Sequence, residues 1–150
     1  MLALNHADAL ARLGALTQLK PDYAMQLVAE VRKRLSDNDT AVRIAAVGTL
    51  GHLEDRQSVP LITTFVRRSD ASEGERAGGA KALGEIGRAD AAEALRAEFA
   101  RETSLEVKCA IATALGTIGD AASIEALRRE GSRLLAPAQL KEICARFVRR

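Results

Sequence analysis

Apolar and polar positions follow one another along this chain with helical spacing, and the pattern itself recurs. Val42-Arg-Ile-Ala-Ala-Val-Gly-Thr-Leu-Gly51, Glu75-Arg-Ala-Gly-Gly-Ala-Lys-Ala-Leu-Gly84 and Val107-Lys-Cys-Ala-Ile-Ala-Thr-Ala-Leu-Gly116 align without a gap, their final glycines 33 and 32 residues apart. A leucine precedes each glycine (Leu50, Leu83, Leu115), and small residues stand six and five places before it: Ala45-Ala46, Gly78-Gly79 and Ala110-Ile111. Such spacing draws an apolar stripe along a helix, with alanine or glycine where another helix approaches closely. A period within roughly 20–50 residues marks a solenoid, whose units bury their apolar faces only against neighbours.

The ends of this first helix are also written in the sequence. Asp39, Ser72 and Ser104 stand at equivalent places before it and are favoured N-caps, their oxygens accepting from otherwise unpaired amides. Ser72 and Glu75 have capping-box spacing. Gly51, Gly84 and Gly116 are expected to close the helices in left-handed conformation, with Gly87 and Gly119 as further turn residues.

A second helix is then expected in each unit, beginning near Leu53, Ile86 and Ile118, with Asp120 capping the last of them. It continues through Val59 and Ile62, Ala92 and Leu95, and Ile124 and Leu127. The frame extends outward less regularly. Leu10, Leu13-Gly14 and Leu16 echo it, followed by an insertion around Lys20-Pro21-Asp22 and a helix over 23–35. Leu140-Lys141, Ile143, Cys144, Phe147 and Val148 form a closing helix that starts near Pro137, where the missing amide costs little. The reading is one all-α domain over 1–150, with units of about 1–36, 37–69, 70–102 and 103–133 and a closing helix over 137–149. The closing helix reads as a polar cap, although a segment of a longer array would look the same.

The composition agrees. With 28% charged and 47% hydrophobic residues the chain has the means to bury a core, and with 3% aromatics that core must be Ala, Leu, Ile and Val. A net charge of +2 is too small to argue for nucleic acid or an acidic membrane. Two cysteines without CxxC spacing make no disulfide framework, no apolar run reaches the roughly 20 residues of a bilayer span, and Met1-Leu-Ala-Leu lacks a basic leader. These features favour the cytoplasm.

The pattern Asp39-x-x-Val42-Arg43-x-Ala45-Ala46-x-x-x-Leu50-Gly51 resembles the HEAT repeat. The Ala112–Asp120 segment looks most like the short HEAT variety found in phycobilin lyases. The resemblance is strong over Asp39–Glu130 and implies a right-handed α-α superhelix serving as a scaffold that binds a partner protein or peptide. A bacterial source is suggested by the Ala- and Arg-rich composition. Deoxyhypusine hydroxylase resembles this repeat too, but its iron-ligating His-Glu pairs would fall on Ile44-Ala45, Ala77-Gly78 and Cys109-Ala110, which holds no ligand. HEAT-like alkylpurine glycosylases use aromatic and acidic residues around a basic face. This chain has only Tyr23, Phe65, Phe99 and Phe147, the last three in core frames. A phycobilin-lyase-like subunit or chaperone acting on a tetrapyrrole-bearing protein is the alternative function.

Candidate chemistry is sparse. His6, in the expected first helix, and His52, at an expected turn, have no partners at ligand spacing, so no metal or cofactor is called for. Cys109 and Cys144 take places otherwise held by Ile, Ala or Gly and read as small core residues. No phosphate loop, nucleophile elbow or dinucleotide fingerprint occurs, and a non-catalytic protein is expected. Arg43, Arg76 and Lys108 recur once per unit, which favours a ladder of bonds to loop carbonyls or acids such as Asp39 over a phosphate stripe. Gly74, Gly78 and Gly79 weaken one helix by roughly 1 kcal/mol each, either for close helix approach or as a soft joint.

In the HEAT resemblance the second helices line the concave face. Arg67, Glu93, Arg96, Glu125 and Arg128 on them are therefore the candidate partner-binding residues, with a plain solvated face as the competing account. Glu93 with Arg96 and Glu125 with Arg128 can pair at a three-residue spacing, which argues against a groove that reads nucleic-acid phosphates.

Overall fold

A computed structural model describes residues 3–18 and 21–149. Within them lie α1 (Ala9–Thr17), α2 (Pro21–Lys33), α3 (Thr40–His52), α4 (Val59–Arg67), α5 (Glu73–Ile86), α6 (Ala89–Arg101), α7 (Leu105–Ile118), α8 (Ala121–Gly131) and α9 (Ala138–Val148). No strand occurs among the described residues, and the architecture is an α-α solenoid. None of these helices is long and apolar enough to cross a membrane. Lys20 of the expected insertion, the side chain of Tyr23, and the start of the N-terminal segment at Met1 lie outside the described residues. His6 sits in the coil before α1 rather than within it.

The expected caps close the starts of α3, α5 and α7. The Asp39 carboxylate accepts from the amides of Ala41 and Val42 at 2.9 and 3.1 Å. Ser72 and Glu75 form a reciprocal capping box, and Ser104 accepts from the amide of Val107. Asp120 occupies the N-cap of α8 but makes no capping bond, because its carboxylate is drawn instead to Arg96 at 2.9 Å.

The glycines that define the repeat are not turn residues. Gly51, Gly84 and Gly116 lie inside α3, α5 and α7, which run on to His52, Ile86 and Ile118. Leu53 caps the end of α3, and Ile86 and Ile118 end α5 and α7, so none of them opens a second helix. The left-handed positions fall later, at Glu54 (φ 50°), Gly87 (φ 69°) and Gly119 (φ 71°). What requires the helical glycines is the next unit. A Cβ on Gly51 would stand 2.9 Å from the Ala82 Cα, one on Gly84 2.9 Å from the Ala114 Cα, and one on Gly116 would collide with the Phe147 ring.

These contacts join α1, α3, α5, α7 and α9 into one closely stacked layer, whereas α4, α6 and α8 touch one another much less. The first helices are thus the tightly packed layer and the second helices the looser one. Between the layers runs the core: Val42, Val47 and Leu50, then Leu83, Ile111 and Leu115, facing Ile62, Phe65, Leu95, Phe99 and Leu127 of the second helices. Each such side chain contributes about 1.5–3 kcal/mol on burial.

Candidate functional site

The five candidate partner-binding residues all lie on the second-helix layer, and most of their charges are engaged within the chain. Arg67 of α4 donates to Glu98 of α6 at 2.5 Å. Arg96 reaches across to Asp120 and Ser123, at 2.9 and 3.1 Å, rather than pairing with Glu93 as the spacing predicts. The reason is distance along the stack: the start of α8 lies beside the middle of α6 and offers a half-buried carboxylate. Arg128 and Glu125 do pair as expected, at 2.6 Å and largely exposed to solvent. Glu93 is exposed and makes no ion pair among the described residues. This layer is tied from unit to unit.

The cations that recur once per unit form a ladder of ion pairs. Arg43 donates to Glu75 at 2.6 Å and to the carbonyls of Asp37 and Asn38. Arg76 pairs with Glu102, and Lys108 with Glu130 at 3.0 Å. Arg12 makes the corresponding bidentate pair with Asp37, both bonds 2.7 Å. Carbonyl and carboxylate partners were expected, but the acids are these four rather than Asp39, which is engaged in capping. Burial alone would raise the Glu75 carboxyl; the bonds from Arg43 and Ser72 outweigh it and hold the group below the usual carboxylate range. Glu130 is held down in the same way by Lys108 and Arg133 against its desolvation. Asp37 is lowered chiefly by the bond from Arg12.

A different surface forms a cleft. On the first-helix layer, α5 and α7 enclose a groove of about 470 Å³. Gly78, Gly84, Ala110 and Ala114 line its depth, and Lys81 and Glu85 stand at its edge, 3.7 Å apart. Glu85 also meets Nδ1 of His52 at 3.0 Å, bridging α5 to α3. His52 is thus an exposed helical residue, not a turn residue. Thr113 and Thr117, which also line the groove, donate their hydroxyls to carbonyls one turn back, at 2.9 Å each. The walls consequently offer carbon surface and few free polar groups.

The glycines of α5 divide into two kinds. A Cβ on Gly79 would stand 2.6 Å from Val66 Cγ2, so this residue serves close helix approach. A Cβ on Gly78 would meet nothing within 4 Å, and the same holds for Gly74 in the first turn of α5, Gly48 of α3 and Gly14 of α1. Packing does not require these four. The sequence displayed the small residues plainly; their division into required and open positions needed the neighbouring helices.

Neither cysteine is placed for chemistry. Burial raises the Cys109 thiol, and burial with the nearby Glu130 pushes Cys144 up to about 11, so both stay protonated at neutral pH. Among the described residues no three His, Cys, Asp or Glu side chains gather where an ion could be held. Compared with known proteins, the sequence is similar to the model of HEAT repeats, which matches residues 1–74 and again 65–130. No curated protein matches it.

Proposed function

The chain belongs to the HEAT-repeat family, and from that premise we propose that it is a non-catalytic scaffold binding a partner protein or peptide along its first helices. The observation that carries this reading is the set of open glycines. A mid-helix glycine costs roughly 1 kcal/mol relative to alanine, and the packing around Gly14, Gly48 and Gly78 gives nothing in return. Bare backbone on the surface of the first helices lets another chain approach closely. Rigid stacked helices hold that surface ready, so docking loses little conformational entropy.

The second-helix residues Arg67, Glu93, Arg96, Glu125 and Arg128 form the alternative contact surface for the same scaffold. The two are separated by one experiment. A partner captured by the native protein is expected to be lost with Gly78→Leu, which fills the groove where space is open, and retained with Arg67→Glu or Arg128→Glu. The opposite pattern would transfer the site to the second helices. Visible absorbance with a bilin-carrying protein tests the phycobilin-lyase-like reading, which a spectral change on mixing would favour. A partner whose affinity falls steeply with salt would instead point to nucleic acid.

A further inference from the structure

The turn that follows α2 carries an arginine where two later units bury an apolar side chain. Arg34 stands three places before Asp37, the acid that pairs with Arg12. The residues three places before the later pairing acids are Phe99, ahead of Glu102, and Leu127, ahead of Glu130, and both are buried. Arg34 gains little from that place. Among the described residues its side chain makes one hydrogen bond, from Nη1 to Asp37 at 3.3 Å, and the 2.7 Å bonds from Arg12 already occupy both oxygens of that carboxylate. Its Nε is buried with no acceptor. A covered N–H without a partner costs stability, and native structures seldom keep one without a reason.

The same guanidinium lines a pocket of about 300 Å³ between the start of α1 and the turn after α2. Ala7, Arg12, Lys33, Ser36, Asp37 and Asn38 complete the lining. Arg12 and Asp37 neutralise each other through their bidentate pair, which leaves Lys33 and Arg34 as surplus positive charge. Lys33 meets Glu30, an exposed neighbour in α2 that does not line the pocket, and such a pair is weak in water. Asp8 and Asp39 stand nearby as helix caps and do not line it either. Ser36 and Asn38 are exposed and add a hydroxyl and an amide as neutral donors. Two cations and two neutral donors suit an anion with two charges and several oxygens. A carboxylate has one charge and two oxygens, whereas a phosphate monoester carries about −1.5 to −2 at neutral pH and offers three.

We propose that this pocket binds a phosphate monoester, with Arg34 and Lys33 meeting its charge and Ser36 and Asn38 donating to its oxygens. The ligand supplies Arg34 with the acceptors that the fold withholds. The pocket shares no residue with the α5–α7 groove and does not depend on the groove being occupied.

The probe is N-acetyl-O-phosphoserine amide, titrated into the intact, isotopically labelled protein in phosphate-free buffer and followed by NMR. The Nε–H signal of Arg34 should shift and saturate. Arg34→Leu restores the apolar residue of the later units; it should melt no lower than the native protein and weaken binding about tenfold, followed at the backbone amides of 36–38. Lys33→Ala should weaken it about threefold, and Gly78→Leu should leave it unchanged. Inorganic phosphate, titrated alongside, assigns the source: equal affinity points to the free ion, and tighter binding of the ester points to a phosphorylated partner. As a second measurement, replacing chloride by phosphate at equal ionic strength should raise Tm more for the native protein than for Lys33→Ala. Binding as tight in Arg34→Leu as in the native protein overturns the proposal, as does an equal rise in Tm for native and Lys33→Ala. So does N-acetylaspartate amide binding as tightly as the phosphoserine probe, or a drift of all arginine and lysine signals without saturation.

Discussion

Along the first-helix layer, neighbouring units meet at backbone distance: Gly51 on Ala82, Gly84 on Ala114 and Gly116 on Phe147. Along the second-helix layer they meet through long side chains, Arg67 to Glu98 and Arg96 to Asp120. The first kind of contact tolerates no added atom, because the opposing group is backbone or a packed ring. The second is adjustable and half solvated. This difference identifies the surface where leftover space is informative. On the tight layer a small residue is normally compulsory, so glycines with nothing opposite them stand out.

Substitutions of opposite expected sign test this contrast. The largest effect is expected from Gly84→Val, whose added atoms collide with the Ala114 backbone; a loss of about 3 kcal/mol should appear in urea unfolding. If Gly84→Val costs no more than Arg67→Ala, which should cost under about 1 kcal/mol, the two layers are not distinct in kind.

Next in size is the ladder. Glu75→Gln removes the buried charge that pairs with Arg43 and leaves one oxygen where Arg43 and the Ser72 amide now use two, and should cost about 2 kcal/mol at neutral pH. Its acid dependence has a definite sign. The Glu75 carboxyl titrates in the fold below its ordinary value of 4.5, so its contribution is complete above that pH and is lost as pH falls through the lower, folded-state value. Asp37 and Glu130 act in the same direction. Thermal melts should therefore hold steady from neutral pH down to about 5 and fall below about 4. Glu75→Gln should flatten that decline, and an equally steep fall in the variant would remove Glu75 from the account.

Gly78→Ala should stabilise the protein by about 0.5–1 kcal/mol, since the new methyl meets open space and the helix loses an unfavourable residue. A destabilised Gly78→Ala would show that the position is already packed and would withdraw the main support for the groove. Hydrogen exchange sharpens the same point. Protection over 76–83 equal to that in α3 and α7 is expected of a groove wall, whereas faster exchange would restore the soft joint as the reason for the glycines. The smallest change belongs to Arg128→Ala, an exposed three-residue pair worth a few tenths of a kcal/mol in the same unfolding assay.

Much of this protein follows from local chemistry that a single chain carries in its order. The caps at Asp39, Ser72 and Ser104, the apolar frame through Leu50, Leu83 and Leu115, and the helical class are all determined within one or two turns, where side chain and backbone are already neighbours. Sequence spacing also identified the recurring cations, because a repeated unit repeats its needs. What it misassigned were features settled between units. Gly51, Gly84 and Gly116 looked like helix ends because glycine serves ends and close contacts equally well, and only the neighbouring helix distinguishes the two. Arg96 looked like the partner of Glu93, but Asp120 lies 24 residues along the chain and beside it in space. The tertiary structure alone decided which layer packs tightly and which glycines face open space. Each of these depends on the distance between helices, a quantity the order of residues does not contain.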